Sequence, residues 1–170
     1  VTAMAGEHLK STALQNADAA QHQLSPSRLT AMELREAVGV VQASASASIG
    51  STYRFARVPS NARISQILFA SAASGATGQV DIGLYDTPAN GGAVVDADFF
   101  ASALDPGGGV IPPTDVTHES GVFGLEDAEQ PLWQALGLTK DPQKEYDIAA
   151  TVVEAFENAT YMVAKVRYGI

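Results

Sequence analysis

The residues best suited by type and spacing to do chemistry are acidic. Asp96-Ala97-Asp98 and Glu126-Asp127 are the closest carboxylate pairs in the chain. Two carboxyl groups can divide the work of acid and base in glycoside hydrolysis. Both pairs lack the basic residues and aromatic cluster that accompany a sugar site, although Phe99 and Phe100 follow the first. Asp96 and Asp98 could instead join backbone carbonyls around Ca²⁺, a hard cation that takes oxygen ligands. The glycine and distal glutamate of an EF-hand loop are missing, and a solvated loop or a helix cap accounts for the same residues.

The other candidates carry less. Of the three histidines, His8 and His22 lie far from His118 in sequence, and His118-Glu119 follows Asp115 with no HxH, HExxH or facial-triad spacing. His118-Glu119 could bind a metal or act as a base, and the same residues read as a surface polar pair at a loop–strand junction. Ser120-Gly121 lacks the GxSxG elbow of a serine hydrolase. Gly107-Gly108-Gly109 lacks the Lys-Ser/Thr of a phosphate loop and has no basic neighbour, so it reads as a flexible turn. The absence of cysteine excludes disulfides, thiolate metal sites and a Cys nucleophile. The expectation is a protein with no catalytic residues and no cofactor.

Charge narrows the partners. The net charge is −9 and only 17% of residues are charged. Acidity argues against nucleic acid, whose binding rests on released counterions, and against an anionic membrane surface. No Lys or Arg occurs from Ile64 to Thr139, where ten acids stand: Asp81, Asp86, Asp96, Asp98, Asp105, Asp115, Glu119, Glu126, Asp127 and Glu129. The simplest reading is a solvated acidic surface. No run approaches the eighteen apolar residues of a membrane span, and the reading is of a soluble protein made in a cytoplasm.

The elements that would position these residues are unevenly endowed. All twelve aromatic residues lie between Tyr53 and Tyr168. Aromatic side chains carry much of a core's burial, so a segment without them struggles to offset its ordering entropy. Residues 1–30 are read as an extended or irregular arm, with one or two helical turns possible from His8 to Leu14 before Ser25-Pro26-Ser27. Residues 31–170 are read as the body. Met32–Val41 fits a short helix or a strand, and Val38, Val40 and Val41 favour a strand ending near the Ala43–Ser48 ASASAS tract, which reads as a flexible link. Tyr53–Val58 alternates as a strand. Arg63–Ala70 puts Ile64, Gln66 and Leu68 on one face, with Ile67 and Phe69 on the other. Gly78–Asp86 points Val80, Ile82 and Leu84 inward and Asp81 and Tyr85 outward.

Val94–Leu104 fits a strand or a short helix. Asp105–Gly109 with Pro112-Pro113 reads as a long exposed loop, and Val116–Phe123 as a short strand. Glu129–Gly137 reads as a helix, Pro near its start and Gly at its end, with Trp133 filling the core. Lys144–Glu154 and Tyr161–Tyr168 read as a terminal antiparallel hairpin. Together these predict an all-β protein: an antiparallel β-sandwich, with a jelly-roll connection among those that fit, one short helix and an extended N-terminal arm.

The order of segments STYRFARVPSNARISQILF, VDIGLYDT, GGAVVDADFFASA, THESGVFGLEDAEQPLWQALGL and the closing YDIAATVV…KVRY resembles the capsid decoration, or cement, proteins of tailed bacteriophages over roughly Leu34–Tyr168. The resemblance implies a β-rich body on the outer surface of a virion head, made in the host bacterial cytoplasm. It implies self-association into trimers or dimers, and a terminal arm that grips the major capsid protein by strand addition. On that reading the partner-binding residues are Leu9, Lys10, Leu14, Leu24, Arg28, Leu29 and Arg35. A tail, neck or head-fibre component and a carbohydrate-binding sandwich are the alternatives.

Overall fold

A computed structural model describes residues 9–21 and 23–170, so His8 and His22 lie outside the described residues. The chain divides into two compact units, residues 1–33 and 34–170.

Within the first unit, α1 (Thr12–Ala17) and α2 (Ser27–Thr30) are short helical stretches in a segment the sequence reads as extended or irregular. Neither helix buries a residue. Pro26 stands at the N-cap of α2: Ser25-Pro26-Ser27 starts a turn as well as stopping one, because proline's missing N–H costs nothing there.

The second unit is a sandwich of two four-stranded antiparallel sheets. Its strands are β1 (Leu34–Ala43), β2 (Thr52–Pro59), β3 (Arg63–Ser71), β4 (Gln79–Asp86), β5 (Val94–Leu104), β6 (Ile111–Asp115), β7 (Glu145–Glu154) and β8 (Thr160–Gly169). One sheet runs β1-β8-β3-β6 and the other β2-β7-β4-β5. The first strand pairs with the eighth, the second with the seventh, the third with the sixth and the fourth with the fifth. The chain is thus one long hairpin folded at β4–β5, then rolled so that β8 meets β3 and β7 meets β4. This is the jelly roll. It corrects one expectation: β7 and β8 are consecutive and antiparallel in trend but lie in different sheets, so they form no hairpin.

Between the sheets the core follows period-2 alternation. On β8, Met162, Ala164 and Val166 are fully buried, while Tyr161, Lys165 and Arg167 are exposed. Phe99, Phe100 and Phe123 cluster in the core with ring centroids 5.0–5.5 Å apart, Phe100 edge-on to the other two. A bulge between Ile64 and Gln66 shifts the face of β3, so Ile64 joins Ile67 and Phe69 inside instead of lying opposite them. Tyr85 does point to the outer face, but it is buried there, under the Arg54 guanidinium at 5.2 Å and with its hydroxyl 2.6 Å from that of Thr151.

Several loops are more structured than their composition predicts. Ala43 and Ala47 of the ASASAS tract are buried, and Ala47 O accepts from Phe156 N at 3.0 Å, so the β1–β2 crossover is fastened to the β7–β8 crossover. Small side chains there permit close packing and do not make a flexible link. Pro112 and Pro113 sit in β6, an edge strand, where a missing N–H faces solvent. Residues 116–123 are turns and bends, with no strand. α3 is a single turn, Leu132–Ala135, docked by Leu132 N on Ala62 O and Trp133 N on Ser60 O. Leu132 is the buried residue of that turn and Trp133 remains half-exposed, contrary to its expected role.

On the outer face of the β2-β7-β4-β5 sheet, a bulge between Arg54 and Ala56 brings Arg54 and Arg57 to the same side. Both donate to the buried Asp147 carboxylate of β7, at 2.9 and 2.7 Å. Arg54 also donates to the carbonyls of Asp86 and Gly92, at 2.8 and 3.0 Å, and so ties the β4–β5 loop to the sheet. Burial pushes the Asp147 carboxyl up, but the hydrogen bonds and charges of Arg57 and Arg54 outweigh it and hold the group below the usual range.

Two outcomes follow for stability. Gly83 is buried beneath β5, where an added Cβ would meet the carbonyls of Asp96 and Ala97. Gly83→Ala is expected to cost about 1–3 kcal/mol in urea denaturation, the usual range for overpacking. Asp147 has a lower pKa folded than unfolded, so its contribution is complete above the ordinary aspartate value of about 3.9 and is lost as pH falls through the lowered folded value. Asp147→Asn is therefore expected to melt below the wild type at neutral pH, with the gap closing under acid. A gap that stays constant down to about pH 2 would remove the linkage.

Candidate interaction surface

Among the carboxylates that sequence analysis singles out, Asp96, Asp115, Glu119 and Asp127 hold backbone N–H groups. Asp115 accepts from Thr117 Oγ1 at 2.6 Å, Thr117 N at 3.0 Å and Gln66 Nε2 at 3.0 Å. Burial raises its pKa, but these bonds and the charge of His118 bring it below the ordinary value. His118 stacks on Phe123 with ring centroids 5.0 Å apart, and its Nδ1 lies 2.9 Å from Phe123 O. Glu119 accepts from Ser102 N at 2.8 Å. Asp127 accepts from Gly124 N at 3.1 Å. These groups come together as loop fastenings with no shared reacting centre.

The Asp96 and Asp98 carboxyl groups are neighbours on β5. Asp96 Oδ1 accepts from Asp98 N at 3.3 Å. Burial and then the neighbouring Asp98 carboxyl raise the Asp96 pKa. Among the described residues, no third His, Cys, Asp or Glu groups with them to hold a metal ion. Two carboxyl groups that resist joint ionisation are a poor cation site without further oxygen ligands.

The residues expected to bind a partner fall in both units. Leu9, Leu14 and Leu24 are 86%, 56% and 93% exposed, so the first unit holds three large apolar side chains in water. Lys10 pairs with Asp18 at 2.7 Å, both half in solvent, a contact of small energetic weight. Arg28 and Leu29 are half-buried in α2. Arg35 is exposed on β1, in the second unit.

A surface that sequence reasoning missed lies on the outer face of the β1-β8-β3-β6 sheet. At one end of that face an open groove of about 620 Å³ is lined by Val40, Ala70, Val110, Pro112, Tyr161 and Val163. Val40, Val110 and Tyr161 are 63%, 71% and 58% exposed. At the other end a polar ladder crosses all four strands. Glu36 of β1 accepts from Arg167 of β8 at 2.7 Å, Arg167 donates to Gln66 of β3 at 2.9 Å, and Gln66 donates to Asp115 at the end of β6 at 3.0 Å. The signal was present in β1, where Val38 and Val40 share one face and Val41 the other. Apolar residues on both faces depart from the apolar-in, polar-out alternation of an antiparallel sheet with one solvated face.

No family model matches the chain, and no curated protein matches it. Among solved structures, it is similar to a chain of the cyanophage Pam1 capsid asymmetric unit, with a TM-score of 0.52 and 15% identity over 90% of this chain and 96% of that one. A chain of the acidic stable capsid structure of Helicobacter pylori bacteriophage KHP30 matches at a TM-score of 0.42 and 14% identity, over 82% of this chain and 93% of that one. The second likeness is too distant to argue from. The first, at its low identity, establishes a shared fold.

Proposed function

We propose that the chain is a structural component of a phage virion, seated on the outer surface of the head and stabilising it by bridging major capsid protein subunits. The observation that carries this reading is the fold, an eight-stranded jelly roll that corresponds to a chain of the cyanophage Pam1 capsid asymmetric unit over nearly the full length of both. Jelly rolls serve capsids and lectins alike, so the fold alone does not choose between them. The first unit favours the capsid. Leu9, Leu14 and Leu24 stand in water, where large apolar side chains gain most from a partner surface. The carboxylates a lectin would use for calcium are spent instead on fastening loops and on a two-membered pair.

A gripping segment joined to a compact body fits mechanical reinforcement without turnover. Repetition over a shell then raises avidity well beyond one contact. Purified protein is expected to add stoichiometrically to expanded, undecorated heads and to raise their disruption temperature. Deleting residues 1–33 should abolish that binding and leave the body folded, since among the described residues every buried core residue lies from Ala43 onward. A truncated body that binds heads as well as the full chain would remove the arm from the mechanism. A full chain that does not bind heads would remove decoration itself.

A further inference from the structure

Asp96 has no basic neighbour in the sequence, but the fold brings it one. Where β4 ends and β5 and β7 begin, a pocket of about 500 Å³ gathers Asp86, Asp96, Lys144 and Tyr146. Val95, Leu136 and Leu138 give it an aliphatic wall. An apolar wall facing a few convergent polar groups, in a space of this size, is the usual make-up of a small-molecule site.

The Tyr146 hydroxyl marks the pocket as a site. Tyr146 is 1% exposed, and among the described residues its hydroxyl has no hydrogen-bond partner. A buried tyrosine hydroxyl ordinarily has one. Among the described residues, Ser71 Oγ is the unpartnered side-chain atom sealed from solvent. The Tyr146 hydroxyl is open instead, and the pocket is its opening. Burial above all raises the Tyr146 pKa, so the group stays an O–H donor at neutral pH. Lys144 Nζ lies over the same ring, 5.0 Å from its centroid, and donates to Asp86 Oδ1 at 2.6 Å. That bond uses one of the three ammonium N–H groups and leaves Asp86 Oδ2 to accept.

These groups select a neutral ligand. Asp86 neutralises Lys144, and Asp96 is held toward its protonated form, first by burial and then by Asp98. A small anion would meet two carboxyl groups, and a cation would meet the ammonium. What the pocket offers is donors and acceptors side by side: the Tyr146 O–H and the Lys144 N–H groups donate, and Asp86 accepts. Adjacent hydroxyls of a sugar ring answer that pattern, because each can donate and accept. The C–H face of such a ring would lie against Leu136 and Leu138. We propose that this pocket binds one unit of a neutral sugar directly, without calcium. The site belongs to the body and stands whether or not the chain is seated on a virion head.

Saturation-transfer NMR tests it, with the full chain and the methyl glycosides of glucose, galactose and mannose at millimolar concentration in EDTA. At least one glycoside should receive saturation on its ring protons. Tyr146→Phe keeps the ring and removes the hydroxyl that has no partner, so its circular dichroism melt should match the wild type. It should weaken binding of that glycoside about tenfold, the weight of one net hydrogen bond. Lys165→Met, on the other sheet, should leave binding unchanged. Saturation transfer to none of the three sugars overturns the proposal, as does transfer that Tyr146→Phe does not weaken. Binding that appears only when calcium replaces EDTA overturns direct recognition. Glucuronate binding more tightly than methyl glucoside overturns the selection of a neutral ligand.

Discussion

The body depends on one topological constraint: its last two strands are inner strands, one in each sheet, and not edges. β8 is paired on both sides, with β1 and β3, and β7 likewise with β2 and β4. Every strand from the first half of the chain that reaches the centre of a sheet does so by pairing with one of them. This is why the inward residues of β8 alternate so cleanly, Met162, Ala164 and Val166 buried against the opposite sheet. It is also why β7 is buried over most of its length, with Asp147 tolerable inside only because Arg54 and Arg57 meet it.

Most strands were legible because period-2 patterning survives wherever one face meets a core. β1, β2, β3, β4, β7 and β8 fall close to the segments their alternation marks. What the pattern could not carry is what happens between residues far apart. The β7–β8 connection looked like a hairpin because short turns usually join neighbours, and only the whole sheet order reveals that Phe156 leads from one sheet to the other. Bulges are equally silent in sequence. One inserted residue at Ile64–Gln66 reversed the expected face of Ile64. Composition misled at ASASAS, where small residues serve close packing, and at Trp133, where a large ring is left half outside. Of the candidate interaction surface, the exposed leucines of the first unit were readable as types. The groove was not, because it gathers Val40, Val110 and Tyr161 from distant parts of the chain.

The acidity of the central segment acquires a structural meaning. Asp81 accepts from Ala103 N, Asp105 from Gly108 N, Glu119 from Ser102 N and Asp127 from Gly124 N. Asp115 holds Thr117, and Asp86 holds Lys144. Carboxylates are strong acceptors for backbone N–H groups that loops would otherwise leave to water. The Ala103 case is telling, because that residue adopts φ 52, a conformation most side chains avoid. Lysines and arginines offer no such acceptor. A loop-rich sandwich that fastens its turns this way becomes acidic without any cationic ligand to explain it.

Pro112 and Pro113 set a limit on growth. A proline lacks the N–H that a further strand would need, which makes β6 a poor edge of the β1-β8-β3-β6 sheet for strand addition. Two adjacent prolines in a five-residue strand thus guard that edge against edge-to-edge aggregation.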